Sequence, residues 1–384
     1  MEALPTDRDL VDAWIAAGIS ACFTVPCSIT STWAHHAESA GSAGRWWFQP
    51  TNHEGNLPGL AAGWWLGTGR PALMHLQNSG LANAGDGLVS LLSSEVCDIP
   101  AALLVTYRGA DDRDDSEPHQ AIGRRTDALI DALLGGDAVV CGRRDGRGLG
   151  GALALAARRA SEGARSVLAV AEGSFLRTPP PFEPAGEPHH PPPTNIGCPD
   201  VSPAAPTRDA AIEAIVAAHP DAAILWSNGY TARAARAVAD RPGNFYNVGY
   251  MGGTLAIGWA LAKARPDLPV VVVEGDQNAQ MGAMAPHVAQ GLPENLRWIV
   301  LDNGVGASVG GPRSLPLPDS VVALATVVAM LPDRPGGFVH PRVGADGAEF
   351  PEVPPAGIAG LPALTWRFRR WVEGTRGARE NTRS

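Results

Sequence analysis

Two apolar runs that stop abruptly on polar residues constrain this chain most: Val271-Val272-Val273-Glu274-Gly275-Asp276-Gln277-Asn278 and Trp298-Ile299-Val300-Leu301-Asp302-Asn303-Gly304. Both are rich in β-branched residues and lack the alternation of a half-exposed strand, so each reads as a strand buried on both faces, the kind found in a parallel sheet. Asp276 and Asn303 are about one helix plus one strand apart, which makes the two strands consecutive. Carboxyl ends of such strands lie side by side, so a carboxylate and an amide oxygen arriving there can share one hard divalent cation. Magnesium takes few protein oxygens and fills its octahedron with water and phosphate oxygens, so the pair suggests a magnesium-bridged diphosphate.

The same α/β alternation runs through the whole chain. From Asp7 to Gly173 a helix over Asp9–Ala17 is followed by apolar runs at 21–25, 72–76, 101–105 and 166–170. After Thr207, an N-cap, the pattern restarts with a helix over Arg208–Ala218, strands at 222–226 and 245–248 and a helix over Thr254–Ala264. Between them, Thr178 to Pro206 carries Pro179-Pro180-Pro181 and Pro191-Pro192-Pro193 and can continue neither element. The expected fold is therefore α/β, with two doubly wound parallel-sheet domains at 1–177 and 207–384 joined by a Pro-rich linker at 178–206. A chain of 384 residues, 45% hydrophobic, has the material for two cores.

Several functions are disfavoured. No apolar stretch approaches the ~20 residues of a membrane span, and the first residues lack the basic-then-apolar order of a signal peptide, so a cytoplasmic, membrane-free protein is expected. A net charge of −9 without a basic block argues against nucleic acid. Five cysteines without a CxxC pair indicate neither a disulfide framework nor a zinc site. No GxGxxG follows a strand near the start of either half, which disfavours a nicotinamide dehydrogenase, and no Ser/His/Asp order supports nucleophilic hydrolysis.

The Gly275-Asp276 and Asn303 arrangement resembles the metal and diphosphate signature of thiamine diphosphate enzymes, with Gln277 where that signature has a glycine. A second element is His53-Glu54-Gly55-Asn56, between the strand-like 45–49 and the small-residue helix 57–66. Further strings are similar, in order, to those of the phosphonopyruvate decarboxylase family: Val25-Pro26-Cys27-Ser28, Gln77-Asn78-Ser79-Gly80-Leu81, Asp98-Ile99-Pro100, Tyr107-Arg108-Gly109, Glu117-Pro118-His119-Gln120, Gly229-Tyr230-Thr231-Ala232-Arg233, Val248-Gly249-Tyr250-Met251-Gly252 and Ser308-Val309-Gly310-Gly311. The resemblance spans roughly residues 7 to 315. It departs from the family at Gln277, in the His119-Gln120 order, in a slightly short interval to Asn303 and in an abbreviated C-terminal end.

The resemblance implies two domains of the thiamine diphosphate-binding type and a Mg2+-dependent decarboxylation of 3-phosphonopyruvate to phosphonoacetaldehyde, within phosphonate natural-product biosynthesis. It implies a small anionic 2-oxo acid as substrate and a homodimer or homotetramer with the active sites at subunit interfaces. Asp276, Asn303 and the carbonyl of Val305 would hold magnesium. Backbone near Gly229, Tyr230, Gly249, Gly252, Gln277 and Asn278 would approach the phosphates, and Met251 would wedge beneath the cofactor. Glu54 would meet the aminopyrimidine N1′, with Asn78 and Ser79 nearby. His119 and His53 would be acids or anion contacts, and Ser28, Arg108 and His119 would bind substrate.

Each has a plainer alternative: Glu54 as a helix-dipole glutamate, Met251 as core packing, Asn78 to Gly80 as a helix cap, Arg108 as a partner of Asp111 or Asp112, and the glycines as turns. Alternative functions are decarboxylation or carboligation of another 2-oxo acid such as sulfopyruvate, or an inactive paralogue acting as an interaction protein.

Overall fold

The computed structural model describes residues 4–109, 115–135, 138–141, 148–171, 175–178, 206–284, 287, 291–304, 317–318, 321–322, 325–329 and 360–380. Two compact units emerge: residues 1–192 with 259–265, and residues 193–258 with 266–384. The Pro-rich linker falls almost wholly outside the described residues.

The first unit alternates α1 (Asp7–Ala16), β1 (Ala21–Thr24), α2 (Ser31–Ser42), β2 (Trp47–Pro50), α3 (Leu57–Thr68), β3 (Leu73–Gln77), α4 (Leu81–Gly87), β4 (Ala102–Tyr107), α5 (Glu117–Leu134), β5 (Ala138–Cys141), α6 (Leu149–Ser161) and β6 (Arg165–Ala171). α1 starts at Asp7, two residues before the expected Asp9. The cause is a capping box, in which Thr6 Oγ1 accepts from the Asp9 N–H and the Asp9 carboxylate accepts from the Thr6 N–H. The strands form one sheet ordered β2-β1-β3-β4-β6-β5, parallel at every pairing. Leu10, Trp14, Trp33, Leu104 and Leu168 lie in its core with no exposed surface; each such leucine contributes roughly 1.5–3 kcal/mol.

The second unit holds α7 (Arg208–Ala218), β7 (Ala223–Trp226), α8 (Tyr230–Ala239), β8 (Asn244–Tyr246), the start of α9 (Thr254–Ala264, of which residues 259–264 group with the first unit), β9 (Val270–Gly275), α10 (Asp276–Met281), β10 (Leu296–Asp302), β11 (Thr326–Ala329) and α11 (Leu361–Glu380). Its strands are parallel in the order β11-β10-β9-β7-β8. α11 lies on this unit through Leu364, Phe368 and Val372, and Arg367 pairs with Asp240 through both guanidinium nitrogens. Among the described residues no helix is long and apolar enough to cross a membrane.

In each sheet the order in which strands are added reverses at a defined place. β1 has β2 on one side and β3 on the other; β7 likewise stands between β8 and β9. In open α/β sheets the crevice outside the carboxyl ends of the strands at such a reversal is where ligands bind. Cys27 to Ser28 and Gln77 to Ser79 lie at the first reversal, and Ser227 to Tyr230 and Gly275 to Asn278 at the second.

His75, in the middle of β3, ties the first of these edges together. It is wholly buried, with Thr24 Oγ1 at 2.6 Å from Nδ1 and Thr30 Oγ1 at 2.8 Å from Nε2. Burial pushes its pKa down to about 3 from 6.5. Between those values the unfolded chain carries a proton that the folded chain does not. Stability from this group is therefore full above pH 6.5 and falls as pH drops toward 3, at about 1.4 kcal/mol per pH unit. Urea unfolding between pH 6.5 and 5 is expected to show this slope in the wild type and a flatter one in His75→Gln.

Candidate active site

At the first edge, Glu54 opens a 3₁₀ turn, Glu54–Asn56, that leads into α3. Its carboxylate lies over the first turn of α4, where Asn83 Nδ2 donates to Oε2 at 3.0 Å. A Cβ on Gly80 would fall 2.4 Å from Glu54 Cγ and 2.6 Å from Oε1, so the glutamate's position depends on the missing side chain. Because the colliding atoms are the flexible end of Glu54, Gly80→Ala is expected to displace the carboxylate with little loss of fold. The thermal midpoint of Gly80→Ala should therefore stay close to that of the wild type.

His53 caps the same turn, its Nδ1 accepting from the Gly55 N–H at 3.0 Å. That nitrogen is therefore committed, and the neutral ring carries its proton on Nε2.

Asn78 is engaged within the fold. Its side chain is wholly buried, Nδ2 donating to the Arg108 carbonyl at 2.9 Å and to Thr126 Oγ1 at 2.8 Å, while Oδ1 accepts from the Arg108 N–H at 3.2 Å. These bonds join β3, β4 and α5. Asn78 and Ser79 do not cap α4, whose start has no side-chain cap; exposed Ser79 accepts from Gln77 Nε2 at 2.7 Å.

Arg108, just past β4, donates through Nη1 to Ser28 Oγ at 3.0 Å, joining the ends of β4 and β1. Its Nε and Nη2 grip both oxygens of Asp115 at 2.8 and 2.7 Å. Among the described residues Asp115 pairs with it; Asp111 and Asp112 lie outside them. Arg108 holds the Asp115 carboxyl far below the usual carboxylate range, helped by His119 and by the N–H groups of Ser116 and Gly109. His119 Nδ1 stands 2.9 Å from Asp115 Oδ1. Sequence reasoning missed Asn83, Gly80 and Asp115 as supports. The i,i+4 spacing of Asp115 and His119 was the available signal, submerged in an acidic run. The Asp98-Ile99-Pro100 string has a structural use: Asp98, at φ +58°, pairs with Arg165.

At the second edge, Asp276 is the first residue of α10 and Asn303 follows β10; they are 5% and 8% exposed. Gly275 is in register with Leu301, so these side chains come from adjacent strand ends, as the sequence pattern requires. Asp276 Oδ1 accepts from the Gln277 N–H at 2.9 Å. Gln277 lies within the helix at negative φ, since Asp98 is the positive-φ non-glycine among the described residues. A glycine is therefore not needed there on backbone grounds.

Asn278 staples three segments: its Oδ1 accepts from the Gly252 N–H at 3.1 Å and its Nδ2 reaches the Asn228 carbonyl at 3.5 Å. Gly229, Gly249 and Gly252 have φ of +86°, +94° and +69°, values that favour glycine. Gly229 opens α8, while the Tyr230 ring turns inward against Arg208 and Arg233. Met251 is 55% exposed, which removes the core-packing alternative. Glu274, two residues before Asp276, is wholly buried and pushed up to about 7 by that burial; Trp298 Nε1 and the start of α9 donate to it. Val305 lies outside the described residues.

These residues fit the group implied by the resemblance. One carboxylate and one amide at adjacent strand ends are the oxygen donors a small hard cation takes. Gly229, at φ +86° and half-buried, opens α8, and an N–H-rich helix start of this kind suits phosphate.

A phosphonopyruvate decarboxylase of Streptomyces viridochromogenes is 33% identical to the chain over 331 residues, covering 84% of this chain and 78% of its own length. The chain belongs to the phosphonopyruvate decarboxylase family. As decarboxylases, phosphonopyruvate decarboxylases are carbon–carbon lyases. The β subunit of a sulfopyruvate decarboxylase of Methanothermobacter thermautotrophicus is 28% identical over 186 residues, 45% of this chain and 98% of that subunit. Among solved structures, a Mycobacterium smegmatis chain designated a thiamin diphosphate-dependent enzyme matches with a TM-score of 0.50 at 14% identity, covering 86% of this chain and all of the other; this likeness concerns the fold. No family model matches the chain.

Proposed function

We propose that the chain is a thiamine diphosphate- and Mg2+-dependent decarboxylase that converts 3-phosphonopyruvate to phosphonoacetaldehyde and carbon dioxide in phosphonate natural-product biosynthesis. The observation that carries this reading is the Asp276 and Asn303 pair at adjacent strand ends in a chain 33% identical to a phosphonopyruvate decarboxylase. We further propose a cytoplasmic homodimer or homotetramer, with domains at 1–177 and 207–384 and the linker at 178–206.

Asp276, Asn303 and the Val305 carbonyl hold magnesium, and backbone at Gly229, Tyr230, Gly249, Gly252, Gln277 and Asn278 receives the diphosphate. Met251 supports the cofactor from below. The electron sink for the pair left by departing carbon dioxide is supplied by thiamine diphosphate when bound. Glu54, held by Asn83, would meet the aminopyrimidine N1′ and exchange a proton there. Ser28 and Arg108 receive the anionic tail, and His119, once its Nε2 has taken a proton from solvent, delivers the proton that replaces carbon dioxide in the product.

A second reading, sulfopyruvate as substrate, is favoured by the similarity to a sulfopyruvate decarboxylase subunit. Product analysis with a panel of 2-oxo acids separates the two. Carbon dioxide and phosphonoacetaldehyde from phosphonopyruvate support the first reading; release from sulfopyruvate alone establishes the second and removes the first.

A further inference from the structure

The cluster around Arg108 contains a carboxylate that neither metal binding nor substrate binding explains. We propose that Asp115 is a positioning residue that holds His119 in its Nδ1–H form, making Nε2 the nitrogen that exchanges a proton with the reacting molecule. The catalytic half of this statement rests on His119 being the proton-handling group; the tautomer itself does not.

The argument is one of donors and acceptors. Arg108 donates to both oxygens of Asp115, at 2.8 and 2.7 Å, and the N–H groups of Gly109 and Ser116 donate to the same carboxylate at 3.2 and 2.8 Å. A carboxylate gripped in this way stays ionised and can only accept. His119 Nδ1 lies 2.9 Å from Asp115 Oδ1, so that nitrogen must be the donor. Ser116 Oγ, 2.9 Å from the same nitrogen, can accept a share of that proton. A neutral imidazole has one N–H, so Nε2 keeps its lone pair.

The backbone enforces this placement. Gly109, at φ +65°, lies so close to α5 that a Cβ there would fall 2.0 Å from the His119 carbonyl oxygen, and a Cβ on Gly123 would fall 2.1 Å from the Gly109 carbonyl oxygen. The first turn of α5 is thereby pressed against the Arg108 turn, one helical turn separating Asp115 from His119. The side chains of Asp115 and His119 are 15% and 27% exposed, enough cover to hold one arrangement. His53 has the opposite pattern, its Nδ1 accepting from a backbone N–H. The two histidines therefore present the same nitrogen, Nε2, in opposite states: protonated on His53 and with a free lone pair on His119.

Long-range 15N–1H NMR of the full chain, without cofactor, reads the tautomer directly. His119 is expected to show a protonated Nδ1 and a lone-pair Nε2. Asp115→Asn, which must turn its amide NH2 toward either Arg108 or His119, should shift the ring toward Nε2–H and lower kcat roughly a hundred-fold or more, with thiamine diphosphate affinity unchanged. Asp115→Ala should shift the tautomer in the same direction, and Ser116→Ala should leave it as in the wild type. An Nε2–H ring in the wild type, or an unchanged tautomer in both Asp115 variants, overturns the proposal. Full decarboxylation by His119→Asn overturns instead the catalytic reading on which it rests, and the NMR result separates the two failures.

Discussion

Glu54→Gln is expected to lower proton exchange at C2 of bound thiamine diphosphate by roughly 10²- to 10⁴-fold, the range that general acid–base groups contribute. The amide is nearly isosteric with the carboxylate, so packing against Gly80 and the contact to Asn83 Nδ2 at 3.0 Å are retained or weakened only slightly. What is lost is the ability to take and return a proton at N1′. Calorimetric affinity for thiamine diphosphate and Mg2+ should stay nearly unchanged, because the residues proposed to bind diphosphate and metal belong to the other sheet. NMR-detected exchange in deuterated buffer measures the first quantity and titration the second. Unchanged exchange would remove Glu54 from the chemistry and leave the helix-dipole explanation.

Asp276→Asn is expected to weaken magnesium-dependent binding of thiamine diphosphate by at least about a hundred-fold. Loss of groups that only orient metal ligands already costs ten- to a hundred-fold, and this substitution removes the single negative charge assigned to the cation. Asp276 is 5% exposed; the amide is similar in shape, so the fold should persist. Titration with and without Mg2+ checks this: the wild type should show a large difference between the two, and the variant almost none. A variant that keeps the wild-type difference would move the cation elsewhere.

The parts of this protein legible in its sequence are those set by local order. The paired strand ends at Asp276 and Asn303 follow from two apolar runs separated by a helix, and Arg208–Ala218 and Thr254–Ala264 have their expected bounds, the former fixed by Thr207 as cap. α2 escaped notice because its Ala, Ser and Gly residues give a weak periodicity, though Trp33 on it is wholly buried. α11 lies beyond the region of resemblance.

The site's internal wiring was less accessible. Asn78 pairs with residues 30 and 48 positions away, and Ser28 with one 80 positions away; no local pattern encodes such pairings. A polar residue at a strand end has the same appearance whether it faces a ligand, as proposed for Asp276, or crosslinks three elements, as Asn78 does. The difference lies in burial and partners, which the topology decides.

Mixing two inactive variants tests most directly the proposed subunit-interface site, in which Glu54 of one protomer and Asp276 of its partner would serve one cofactor. When Glu54→Gln and Asp276→Asn chains are unfolded together and reassembled, about half the dimers are mixed, and by two-fold symmetry one of the two sites in each is wild type. The account predicts that carbon dioxide release recovers to about a quarter of the wild-type rate. No recovery, with mixed dimers shown to be present, would contradict it.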